Sequence, residues 1–305
     1  MRAAFSRELV RLGQTDTNML LLTGDHGYAL FDDFRKECPA QYINAGIAEQ
    51  NMVGMAAGLA RAGFRPVVYG LSAFVPVRVL EQIKLDVAHD NLPVIFVGDG
   101  AGFVYSHLGT SHQSTEDIAC SRSIPNLSVY SPADRFELAV CMEAAYRSQS
   151  AVYLRMGKCD LGDVHVAAPP ASVGGMLEVK CGTAGDVTFI ATGSLVSTAI
   201  AIADDGYSNA SVWSAPFIKP IDEKQVTSIC ERSQVVVVLE EHSVLGGLGS
   251  VIAEIASEFA PVRILRIGVR DRFSHHCGSY EYLRKEHGLD RLAIAERIRY
   301  FLAGL

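Results

Sequence analysis

In the stretch Ile43-Asn44-Ala45-Gly46-Ile47-Ala48-Glu49-Gln50-Asn51-Met52 one carboxylate, Glu49, stands at the mouth of a small-residue helix. The helix continues through Met52, Val53, Met55, Ala56, Leu59 and Ala60 with Gly54, Ala57 and Gly58 between them, so almost every face can be buried against close neighbours. Nothing nearby neutralises the acid. A carboxyl desolvated in this way should have a raised pKa, and could donate or share a proton. Capping competes with that chemistry: with Gly46 as the cap, Glu49 is the third helical residue, a position where acids complement the helix dipole. The stretch alone leaves both readings open. Other reactive side chains stand where apolar runs end. Gly24-Asp25-His26-Gly27 follows the run 18–23, Phe74 follows the run 65–70, His107 and His112 lie in the glycine-punctuated stretch 98–113, and Arg155 ends the run 151–155.

The elements that must hold these residues alternate as in a parallel α/β sheet. The pattern predicts helices over 2–13, 31–37, 77–89 and 134–147, with another beginning at Ser114. Strands fall at 18–23, 42–43, 65–70, 93–97, 127–130 and 151–155. Short continuous apolar runs such as NMLLLT and PVIFV are what strands buried on both faces look like, and loops at their carboxyl ends are where α/β sheets bind ligands. The first domain is read as 1–160. A linker follows over 161–182, marked by Pro169-Pro170 and Gly174-Gly175. The second domain, 183–305, has strands at 187–192, 210–213, 234–239 and 262–267 and helices at 250–259 and 289–302. The fold class is therefore α/β: two domains, each a mostly parallel sheet flanked by helices.

Composition narrows the function classes. Apolar residues make up 49% and charged residues 20%, as expected of a globular chain long enough to bury a large core. The net charge of −7 and the lack of a basic block argue against nucleic acid. Seven scattered cysteines, odd in number and never in a C-x-x-C pair, predict reduced thiols in a cytoplasm. No run approaches the length of a membrane span, and the first residues carry no apolar core of signal-peptide length.

Taken together, Gly46-Ile47-Ala48-Glu49-Gln50, Ser72-Ala73-Phe74, Thr110-Ser111-His112-Gln113-Ser114-Thr115-Glu116-Asp117, Ile124-Pro125-Asn126-Leu127 and Ser131-Pro132-Ala133-Asp134 resemble, in order, the C-terminal half of a transketolase. The resemblance spans nearly the whole chain as a pyrimidine-binding domain followed by a C-terminal domain. It implies thiamine diphosphate as cofactor, with Glu49 hydrogen-bonded to N1′ of the aminopyrimidine so that the imino tautomer activates the thiazolium carbon. Phe74 would stack on the aminopyrimidine, and Asp25 would lie beside the cofactor. His112 would meet the reacting hydroxyl of the donor ketose, with His26 and His107 also facing substrate. Arg155 would bind a sugar phosphate through its planar fork of donors.

The sequence also departs from that family. Gly98 stands where a phosphate-binding histidine is common, Ala29 where a serine is usual, and Leu108 near an aspartate that reads sugar hydroxyls. Gly98-Asp99-Gly100 with Asn126 imitates the family's magnesium and diphosphate motif but lies in the wrong domain, so it is read as a decoy and no metal ligand is assigned to this chain. The Mg2+ and diphosphate ligands are expected on a separate N-terminal transketolase subunit, in an α2β2 assembly that shares the cofactor. His275-His276-Cys277 is not read as a metal site, and Gly246-Gly247-Leu248-Gly249 is read as packing. The expected activity is transfer of a two-carbon ketol unit from a ketose, expected to be phosphorylated, to an aldose. The alternatives are the β subunit of a 2-oxo acid dehydrogenase, a deoxyxylulose-phosphate-synthase-like enzyme, or an inactive interaction subunit.

Overall fold

The computed structural model describes every residue except Cys159, Asp160, Ala184 and Leu305. The boundary expected at residue 160 and the thiol of Cys159 thus lie outside the described residues. The remaining cysteines are free thiols.

Among the described residues twelve strands form two sheets. The first contains β1 (Met19–Thr23), β2 (Tyr42–Asn44), β3 (Arg65–Leu71), β4 (Ile95–Asp99), β5 (Leu127–Tyr130), β6 (Ala151–Met156) and β10 (Phe217–Lys219), ordered β10-β5-β6-β4-β3-β1-β2. The second contains β7 (Leu177–Lys180), β8 (Val187–Ala191), β9 (Ser211–Ser214), β11 (Val235–Ser243) and β12 (Arg263–Val269), ordered β12-β11-β8-β9-β7. Both sheets are parallel except at β10 against β5 and at β7 against β9. Strands β1, β4 and β6 are buried at every position, the reason they read as unbroken apolar runs.

Register sets the site. Thr23 lies opposite both Asn44 and Tyr69, Leu71 opposite Asp99, and Asp99 opposite Met156, so the carboxyl ends of five parallel strands stop at one level. The loops that carry Asp25 and His26, Glu49, Phe74 and His112 leave the sheet along this single edge, and Arg155 lies at the end of its strand there. Behind the sheet, α1 (Arg2–Thr15) and α2 (Asp32–Glu37) send Phe5, Phe31 and Phe34 into a core with Tyr69. Across the other face, α3 (Glu49–Arg61) packs Met52, Val53, Ala56 and Ala57 against Leu22 and Val68.

Three elements differ from the sequence expectation. Strand β7 falls inside the span read as a linker, where it closes the second sheet as an antiparallel edge. Strand β10 belongs by sequence to the second domain but pairs with β5 of the first sheet, so the two domains share backbone hydrogen bonds. The helix expected over 77–89 is helical throughout but changes pitch, opening as a 3₁₀ turn at Val77–Val79 and widening to a π turn at Ile83–Ala88.

Candidate active site

Glu49 is the first residue of α3, with Ala48 as its cap, and no side chain caps this end. The capping geometry built on Gly46 is therefore not adopted. Gly46 instead has φ +74, a conformation that favours glycine, and turns the chain from β2 into the helix. Asn44 braces this turn: its Oδ1 accepts hydrogen bonds from Gly46 N at 2.9 Å and from Asp25 N at 3.2 Å. The Glu49 residue is 4% exposed. The expectation that nothing neutralises it is overturned, because Arg78 Nη1 donates to Glu49 Oε1 at 3.1 Å. Nor does α3 bury every face, since Gln50, Asn51, Gly54 and Gly58 lie exposed along one side.

Arg78 also lies over the ring of Phe74, with its guanidinium carbon 3.8 Å from the centroid. Phe74 lies in the turn after β3 and Arg78 in the 3₁₀ turn that follows it, where Arg78 N donates to the Phe74 carbonyl at 3.1 Å. No sequence signal marked Arg78, which lies 29 residues from Glu49. His112 meets Phe74 edge to face at 5.3 Å between ring centroids, and His26 stands 6.4 Å from it. His26 Nδ1 is buried without a hydrogen-bond partner, and His112 Nδ1 is 3.0 Å from Ser111 Oγ. Glu49, Phe74, His26, His112 and Arg78 thus form one cluster drawn from four loops. Asp25, exposed and at φ +60, adjoins it through Asn44 Nδ2 at 3.3 Å. His107 is exposed on the turn Ser106–Leu108 and stands apart from the cluster.

The cluster fits an aminopyrimidine. Phe74 and Glu49 together already hold the Arg78 guanidinium, a flat cation with N–H groups at its edge, so a ring face beside a buried carboxylate is shown to accept a planar N–H donor. The orphaned Nδ1 of His26 adds an unused polar atom next to it.

Residues 1–163 match the transketolase pyrimidine-binding domain, and residues 175–294 match the transketolase C-terminal domain. The chain belongs to the transketolase family. It is 36% identical to a transketolase C-terminal section from Methanocaldococcus jannaschii, over 98% of this chain and 95% of that one. It is 33% identical to one subunit of the apulose-4-phosphate transketolase from Phocaeicola vulgatus, covering 99% of this chain and 97% of the relative. A split-gene transketolase solved as an inactive β4 tetramer superposes with a TM-score of 0.90 at 31% identity, over 98% and 97% of the two chains.

Arg155 is 2% exposed, its Nε donates to Asp117 Oδ2 at 2.7 Å and its Nη2 to the Glu241 carbonyl at 2.9 Å, so these two nitrogens join the two domains. Gly98 is explained by space: a Cβ there would stand 2.6 Å from Tyr153 Oη and 2.8 Å from the Val75 carbonyl, leaving no room for a histidine. Asp99 of the decoy triplet accepts hydrogen bonds from Tyr69 Oη at 2.7 Å and Tyr105 Oη at 3.0 Å, while Asn126 donates to the Ala88 carbonyl at 3.1 Å. These residues do not fit a magnesium site, and no group of three or more His, Cys, Asp and Glu residues able to hold a metal occurs among the described residues. The glycines 246–249 do cradle an anion, but one from the chain itself: Glu240 accepts from Leu248 N at 2.7 Å and Gly249 N at 2.9 Å. A Cβ on Gly247 would lie 2.0 Å from that carboxylate. The pair His275-His276 lies in a loop after β12 rather than a strand.

Proposed function

We propose that this transketolase subunit moves a two-carbon ketol unit from a ketose to an aldose, using thiamine diphosphate held between it and an N-terminal-type partner subunit. The observation that supports this reading is the buried Glu49 carboxylate beside the Phe74 face, at the sheet edge where His112 and His26 converge. When bound, thiamine diphosphate supplies the nucleophilic carbon that takes up the ketol unit. Glu49 would hold the aminopyrimidine through a hydrogen bond at N1′, Phe74 would stack on the ring, and Arg78, which donates to Oε1, would fix the carboxylate for that contact. His112 and His26 contact the donor hydroxyls, with His112 accepting the proton lost as the ketol bond breaks. Asp25 bounds the outer rim of the same edge, and His107, exposed on the His112 loop, is kept as a substrate-facing candidate.

Diphosphate and Mg2+ ligands are assigned to the partner, giving an α2β2 enzyme in a reducing cytoplasm. In support, this chain spans nearly the full length of relatives that are themselves separate transketolase subunits. The domains are assigned as 1–160 and 183–305, joined through 161–182. The relatives act on apulose 4-phosphate and, for a subunit from Clostridium sp. 33% identical over 95% of this chain, on 6-deoxy-6-sulfo-D-fructose. A ketose with an anionic terminal group is therefore assigned as substrate, with Arg155 kept as the candidate for its anion. A 1-deoxy-D-xylulose-5-phosphate synthase from Desulforudis audaxviator is 34% identical, but the chain spans only 45% of its length.

The test is Glu49→Ala assembled with the partner. Loss of ketol transfer by at least about a hundredfold is expected, the scale of a removed proton-transfer group. Full transfer by that variant, or pyruvate decarboxylation without ketol transfer by the unaltered enzyme, would sink the assignment.

A further inference from the structure

The loop that carries His112 is held from outside its own domain. At its start, Phe103 N donates to Glu241 Oε1 at 2.7 Å, and the Phe103 ring stacks on His287 at 4.9 Å. Gly102, at φ +69, lets the backbone pass, since a Cβ there would stand 2.2 Å from Glu241 Oε1. At its end, the neighbour of His112 is Gln113, which is 6% exposed and whose Oε1 accepts a hydrogen bond from Ser274 Oγ at 2.8 Å. Ser274 Oγ is also 2.9 Å from His287 Nε2. A hydroxyl has one proton. Since Ser274 gives it to Gln113, the His287 Nε2–H must donate to Ser274, so the two contacts form one directed chain from His287 to the loop.

The pad that makes these contacts is itself pinned. Arg272 donates to the Glu286 carbonyl, and Glu286 Oε1 accepts from His275 N at 2.6 Å, which ties the segment around Ser274 to the end of the helix Tyr280–Glu286. Both ends of the His112 loop therefore lean on one surface of the second domain, which has no residue in the Glu49 cluster.

We propose that Ser274 is a positioning residue for ketol transfer: acting through Gln113, it sets where the His112 imidazole stands relative to the donor hydroxyl. The second domain thereby acts as a fixed seat for a reacting side chain of the first. This rests on the assignment of His112 to substrate.

Ser274→Ala in the assembled enzyme is expected to lower kcat/KM for the donor ketose by about tenfold, less than the loss a side chain misplaced by an ångström can bring. Affinity for thiamine diphosphate should not change, since Ser274 touches no cofactor residue. In the full chain alone, backbone amides over 106–114 should exchange about tenfold faster in Ser274→Ala, and Ser274→Thr, which keeps the hydroxyl, should restore both rate and protection. In a His112→Ala background, Ser274→Ala should cost nothing further. Unchanged exchange over 106–114, or an additive loss in the His112→Ala background, overturns the positioning role. Full ketol transfer by His112→Ala alone would overturn the His112 assignment and this proposal with it, whereas a dead His112→Ala beside a fully active Ser274→Ala overturns only the proposal.

Discussion

Arg78 changes what Glu49 is able to do. A buried acid without a cation would depend on proton sharing alone, whereas here one carboxylate oxygen is claimed by a guanidinium that is also stacked on Phe74. Arg78 is 43% exposed at its side chain, so solvent screens the pair and its direct contribution to stability is small. Its larger effect is on order: removing it frees both the Glu49 carboxylate and the Phe74 ring, the groups proposed to seat the cofactor. Arg78→Ala should weaken thiamine diphosphate binding by roughly tenfold, about 1.4 kcal/mol, with little change in melting temperature. Titration of the assembled enzyme with cofactor checks this, and tighter binding in the variant would show that Arg78 competes for the seat instead of preparing it.

At the scale of elements, the helix Leu248–Phe259 begins on an acid that another strand supplies. Glu240, within β11, is fully enclosed, and burial, outweighing the two backbone donors, pushes its carboxyl up to about 7. Two residues on, His242 is pushed down to about 4, again chiefly by burial. Between the ordinary 4.5 and about 7 the folded chain keeps a proton on Glu240 that the unfolded chain has released, so raising the pH through that window removes stability. His242 acts the other way: between 6.5 and about 4 the unfolded chain takes up a proton that the folded chain refuses, so lowering the pH through that range removes stability. The two trends oppose each other over the pH range they share. Glu240→Gln should delete the first, leaving stability that rises with pH from about 4 to 6.5. Urea midpoints across that range decide the matter, and parallel curves for the variant and the unaltered chain would refute it.

For the whole molecule, the sheet edge that gathers the cluster is open on one side. Along α3, a Cβ placed on exposed Gly54 or Gly58 would meet nothing within 4 Å, and Ile47 beside it is 77% exposed. Glycines four apart on a helix allow another backbone to approach closely, as the partner subunit of the proposed assembly must do to reach Glu49 from outside. Gly58→Leu should therefore leave the isolated chain folded, since the leucine would point into open space, yet prevent association with the N-terminal-type subunit and abolish ketol transfer. Sedimentation of the mixed subunits reads this directly, and an intact heteromer would place the contact elsewhere.

The alternation of apolar runs and helical periods was enough to determine the two α/β layers, because strands buried on both faces have few residue types open to them. Ordered motifs marked Glu49, Phe74 and His112, whose chemistry is tied to residue type. Three matters waited for the tertiary structure. Arg78 and Glu49 are paired only because strand register brings their loops to one level, a relation that sequence spacing does not carry. Arg155 reads as a phosphate ligand at a strand end, while its contacts with Asp117 and the Glu241 carbonyl depend on how the second domain closes over it. Strands β7 and β10 are short edges whose partners lie 32 to 90 residues away in the chain, so pairing rather than local pattern created them. The sequence by itself determined the layers and named candidates for the reactive groups. Tertiary structure decided which charges are paired, which are enclosed, and which domain holds the His112 loop, because burial and partner distance are properties of the packed chain.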